Sequence, residues 1–174
     1  MSPLMNLVAT LLPLAERLEQ TSLGTAIAES TYAFPIIEGV HLIGLSIAVG
    51  LLFITDLRLA DVILKRIPAA VVLQQLLPWV LGGFAAILLS GSLLFMAEAS
   101  SMLRNPAFAF KLVFIAIAAI NAAYFEFVIA RRPGVLESSP GLPASVRTAG
   151  TASLVLWGLV IVCGRLIPYL PQWA

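Results

Sequence analysis

The chain of 174 residues is 60% hydrophobic and only 11% charged, with a mean hydropathy of +1.02. Soluble globular chains run at about 45–50% apolar and about 25% charged, so a water-soluble domain is excluded as the class. A formal net charge of +1 lacks the basic surplus that a nucleic-acid partner requires.

Met1 to Leu14 is apolar, but no basic residue precedes it as in a secretory signal, and Pro13, Glu16, Arg17 and Glu19 follow closely. Segment 1–31 is therefore expected to lie on the membrane as an amphipathic helix, broken around Thr21–Gly24. Residues 32–174 are expected to form a membrane domain with spans at about 33–55, 76–97, 107–130 and 145–169. Each is close to the roughly 20 apolar residues that cross a bilayer core. The first helix is expected to continue past the membrane to Arg66, where Pro68 stops it by lacking an N–H and clashing with the turn before it. The short SSMLRNP segment predicts that the second and third spans form an antiparallel hairpin. RRPGVLESSPGLPAS, rich in Pro, Gly and Ser, predicts a flexible loop. The fold class is all-α: an integral membrane four-helix bundle with an N-terminal amphipathic helix.

Basic residues suggest the orientation. Arg58, Lys65, Arg66, Arg131, Arg132 and Arg147 fall on one side, while Arg17, Arg104, Lys111 and Arg165 fall on the other, two of them at membrane depth. The first side is expected in the cytoplasm. Both termini would then face the periplasm if the membrane is a bacterial inner membrane. Tyr32, Tyr169 and Trp173 suit the outer interface and Trp79 the inner one. Gly82, Ala86 and Ser90 on the second span, and Ala119 and Ala123 on the third, repeat every fourth position and are expected to mark close helix contacts. Cys163 has no second thiol in the chain to pair with.

Ionisable groups inside lipid cost about 2.5–3.5 kcal/mol each on insertion scales, so they usually face a protein interior. Glu38 and the only histidine, His41, are three residues apart and share a helix face. His41 lies about 13 Å inside Tyr32 along a helix rising about 1.5 Å per residue. Glu98 closes the second span, Asn105 and Lys111 open the third, and Arg165 lies near the end of the fourth. All belong to the outer half, so four spans each offer a polar group at similar depth. A second, cytoplasmic level holds Asp56, Arg58, Asp61, Gln74, Gln75, Glu126 and Arg131, where a pair of Asp56 or Glu126 with Arg58 is expected to be structural.

Three readings of the outer level stay open. It is a lock in which Glu38 or Glu98 pairs with Lys111 or Arg165, holding helices in register within an oligomer or a larger membrane complex. It is a cofactor or metal site in which His41 binds haem b iron or copper through one nitrogen, with Glu38 or a backbone carbonyl fixing the other. Lys111 and Arg165 would then suit haem propionates or an anionic quinone or lipid head group. Met96 and Met102 add soft ligands for copper. Or Glu38, His41 and Glu98 line an ion or proton path, which four spans could form only as an oligomer. No phosphate-binding loop, zinc spacing or nucleophile–base set accompanies them.

Glu38-x-x-His41, Asp56-Leu-Arg58 and Asn105-Pro106-x-Phe108-x-x-Lys111 together resemble a family of small four-span bacterial membrane proteins, DUF6644, over about Tyr32 to Tyr124. The pattern is similar, more remotely, to the CopD-like copper-resistance proteins and the HemJ-type protoporphyrinogen oxidases, in which an early-span histidine and a Phe/Trp-x-x-Lys motif recur. That resemblance implies His41 as haem or copper ligand and Lys111 as its polar companion. The chain departs from the HemJ pattern in having no second histidine and no tryptophan beside the lysine.

Overall fold

The computed structural model describes residues 3–137 and 141–172; Trp173 and positions 138–140 of the long loop lie outside the described residues. No strand occurs among them. The helices are α1 (Pro3–Glu19), α2 (Ser22–Glu29), α3 (Ala33–Leu59), α4 (Ala69–Ala97), α5 (Ala99–Leu103), α6 (Pro106–Tyr124) and α7 (Ala144–Leu166). A π-turn over Phe125–Ile129 extends α6. Four helical stretches, Ala33–Leu59, Ala69–Ala97, Pro106–Ile129 and Ala144–Leu166, are long and apolar enough to cross a membrane, with mean hydropathies of 2.1, 2.1, 2.2 and 1.7. Their outward faces carry large bare apolar side chains, such as Leu88 at 72% exposure and Ile120 at 69%. In water such surface would drive aggregation; in lipid it is solvated. This is a membrane protein.

The side on which α3 begins is called upper below, and the side on which it ends lower. The helices pack in the order α4, α3, α7, α6, each antiparallel to its neighbour. Small residues set how closely they approach. A Cβ on Gly83 would lie 2.8 Å from both the Cβ and the backbone nitrogen of Ala48, and one on Gly44 would lie 3.1 Å from the Cβ of Ala86. At the α3–α7 crossing, a Cβ on Gly150 would meet the Leu59 Cβ at 2.7 Å and the Asp56 carbonyl oxygen at 2.9 Å. The expected rows need correction. Gly82 is exposed with nothing near it, and its neighbour Gly83 makes the contact. On α6, Ala119 and Ala123 are exposed and Ala107 and Ala118 are buried. In helices apolar all round, periodicity does not say which face is inside.

The hairpin expectation also changes. α4 and α6 run antiparallel, but α5 occupies the connection and their backbones do not come together. Side chains alone bridge the gap between them, for example Phe95 stacked on Phe108 with ring centroids 5.6 Å apart. α1 and α2 lie against α4 and α5. Thr21 caps α2 by accepting from the Gly24 amide at 3.2 Å, and the Glu19 carboxylate accepts from the Ser100 amide at 2.7 Å and from its hydroxyl at 2.8 Å. Glu19 thereby ties the end of α1 to the first turn of α5, a position where a carboxylate satisfies otherwise unpaired N–H groups.

α3 ends at Leu59, well short of Arg66. The Val62 amide donates to the Leu57 carbonyl at 2.9 Å and the Asp61 amide to that of Arg58 at 3.1 Å, with Asp61 in the left-handed region at φ 61°. This is the Schellman pattern of helix termination with aspartate in the place usually held by glycine. Arg58 secures the turn: its Nε donates to the Ile67 carbonyl at 2.8 Å, and its Nη1 meets the Asp61 carboxylate at 3.4 Å. The expected pair of Arg58 with Asp56 or Glu126 is therefore replaced by one with Asp61.

Candidate functional site

Between α4 and α6, in front of the α3–α7 pair, lie two cavities, one above the other. All four spans line both.

The upper cavity, about 360 Å³, brings together Glu38 and His41 from α3, Lys111 from α6 and Arg165 from α7. Their arrangement follows from local structure. Asn105 caps α6, its Oδ1 accepting from the Ala107 amide at 2.9 Å while its Nδ2 donates to the Ile167 carbonyl at 2.7 Å. One buried amide thus fixes the start of α6 to the end of α7, which sets Lys111 and Arg165 at one level. Lys111 lies against α7 at Gly164, where an added Cβ would meet Nζ at 3.6 Å, an ordinary van der Waals contact. Arg165 is exposed at the mouth, its Nη2 donating to the Tyr169 hydroxyl at 3.2 Å and its guanidinium stacked 5.4 Å from the ring centre.

His41 is held from α4. The Ser90 hydroxyl donates to the Ala86 carbonyl, so its lone pair is free to accept from His41 Nδ1–H at 3.0 Å. The network assigns the proton to Nδ1 and leaves Nε2 with a free lone pair. Gly91 provides the space: a Cβ there would come 3.0 Å from the imidazole Cε1. Ser90 and Gly91 are the residues that the sequence did not connect with His41. Ser90 was expected, with Ala86, to mark a close helix contact, but pairing it with His41 requires knowing which helix faces meet.

The upper residues are neighbours without being a lock. No ion pair joins Glu38, Glu98, Lys111 or Arg165 to one another among the described residues. Glu98 is exposed at the α4–α5 junction, away from the cavity walls. Met102 lines the cavity, and Met96 does not. No cluster of three or more His, Cys, Asp or Glu able to hold a metal ion occurs among the described residues.

The lower cavity, about 210 Å³, contains Thr55 and Asp56 from α3, Asn121 from α6, Glu126 from the π-turn and Ser153 from α7. Asp56 is only 3% exposed, and its Oδ2 has no hydrogen-bond partner. The π-turn widens the helix at Glu126; such turns recur at functional sites.

A family model described as a family of unknown function (DUF6644) matches residues 20–170. No curated protein and no solved structure matches the chain, so the likeness to the CopD-like and HemJ-type proteins has no finding behind it.

Proposed function

The chain belongs to the DUF6644 family, and for this member of it we propose a membrane haem b protein whose upper cavity would hold the porphyrin, with His41 Nε2 as the atom that would bind its iron. The observation that carries this reading is the single oriented imidazole sharing one cavity, walled largely by apolar side chains, with Lys111 and Arg165. A bare copper ion needs several protein donors, whereas a haem would ask this chain for few, and the His41 imidazole could be one. Ser90 holds the imidazole and keeps the proton on the far nitrogen. Lys111 and Arg165 offer positive charge to propionates, and Leu42, Leu45, Phe95 and Phe108 supply an apolar wall. A haem bound there would supply one-electron chemistry, with quinone in the same membrane as its exchange partner.

Protein purified from its native membrane is expected to show a Soret band. His41→Ala abolishes it, and Lys111→Met weakens haem retention while leaving the band position in place. A wild-type protein that neither carries haem nor takes up added haemin would end this reading, as would a band that survives His41→Ala.

The same proposal places the membrane as a bacterial inner membrane, with the upper end and both termini facing the periplasm. The support is the lower-end cluster of Arg58, Lys65, Arg66, Arg131, Arg132 and Arg147. In a Cys163→Ala background, Arg66→Cys is expected to resist a membrane-impermeant maleimide in whole cells, and Arg17→Cys to react. The opposite labelling pattern would invert the topology.

A further inference from the structure

The lower cavity contains a buried carboxyl group with no cation paired to it among the described residues. Asp56 lines the cavity from within the apolar span of α3, almost wholly buried, and its Oδ2 is unpartnered. Arg58, the cation nearest in sequence, turns away to Asp61 and the Ile67 carbonyl. An isolated carboxylate in such a place is costly unless a positive charge joins it.

The rest of the wall indicates what kind of charge. Asn121 Nδ2 donates to the Ala149 carbonyl at 3.1 Å, which commits the donor end of the amide and leaves its oxygen available. The Thr55 hydroxyl donates to the Leu51 carbonyl at 3.0 Å, so its lone pairs are available too. Ser153 lies beside the Asp56 carboxyl, and Glu126 adds a second carboxylate from the π-turn. α4 contributes only Leu73, Leu77 and Val80. The polar wall therefore offers oxygen lone pairs, the ligands that hard cations take.

We propose that this cavity is a binding site for one exchangeable monovalent positive charge, Na⁺ or a proton, received by Asp56 with Asn121, Thr55 and Ser153 as neutral oxygen partners. Glu126 is exposed and keeps its own solvation, so Asp56 is the one buried carboxylate, and one unit of charge neutralises it, which favours a monovalent occupant over a divalent one. The site is independent of the haem reading, since it shares no residue with the upper cavity.

Purified full-length protein in detergent tests this with NaCl against equimolar choline chloride. If Na⁺ is the occupant, the melting temperature rises saturably with Na⁺ in the wild type and is flat in Asp56→Asn. Asn121→Ala shifts the half-saturating Na⁺ concentration upward by tenfold or more, and it keeps the test available should Asp56→Asn fail to assemble. If the proton is the occupant, Na⁺ has no effect, and infrared spectra show a protonated carboxyl band that moves on isotopic labelling of aspartate. The chain has only two aspartates, Asp56 and Asp61, so the assignment is direct. A melting temperature indifferent to Na⁺, together with no protonated aspartate band, overturns the proposal.

Discussion

Gly83→Ala is expected to destabilise the bundle severely, while Gly82→Ala, one residue away, leaves it intact or slightly firmer. The added methyl at position 83 would stand 2.8 Å from the Cβ and the nitrogen of Ala48 and 3.0 Å from its Cα. Two of those three atoms are backbone, so no rotamer change relieves the clash, and α3 and α4 must separate along their most extensive contact. Overpacking of this kind costs about 1–3 kcal/mol and occasionally more. At Gly82 nothing lies within 4 Å, and removing a helical glycine gains about 0.5–1 kcal/mol. Thermal unfolding and size-exclusion profiles in one detergent compare the pair. Equal behaviour of the two variants would mean that α3 and α4 do not meet at Gly83.

The second large effect is expected at Arg58. It is fully buried at 0% exposure and joins the last turn of α3 to the connection that leads into α4. Arg58→Ala removes the donor to the Ile67 carbonyl and the partner of Asp61, and it leaves a cavity. Breaking a buried pair from one side costs about 3–5 kcal/mol, and the lower end of that range applies because the Asp61 side chain keeps 16% exposure. Arg58→Met, which keeps most of the volume, is expected to lose less, separating lost packing from lost hydrogen bonds. Asp61→Gly offers a third comparison, since glycine accepts the left-handed backbone at φ 61° while discarding the carboxylate. If Arg58→Ala unfolds at the wild-type temperature, the guanidinium does not anchor this connection.

How much of this the sequence carried depends on depth versus direction. Depth was legible: blocks of apolar residues gave the four crossings, and counting along them put Glu38, His41, Lys111 and Arg165 at one level, where the structure joins them in one cavity. Direction around each helix was not. α3 and α4 are both apolar on nearly every side, so no amphipathic stripe says whether Gly82 or Gly83 faces Ala48, or that Ser90 meets His41. Helix ends were legible where proline or a capping side chain marks them, as at Asn105. The end of α3 was hidden because Asp61 adopts a conformation usually signalled by glycine. Asp56 looked like an interfacial charge by position along the chain; its burial comes from α6 and α7 folding over it, which no local pattern encodes.

The missing backbone contact between α4 and α6 has a consequence for any binding measurement. A seam closed only by side chains such as Phe95 and Phe108 offers an apolar molecule a sideways route from the acyl chains into the bundle. For such a molecule the governing quantity is its mole fraction in the bilayer, not its molarity in the buffer. Affinities measured in micelles then drift with the amount of detergent, and bilayers of fixed composition give the stable value.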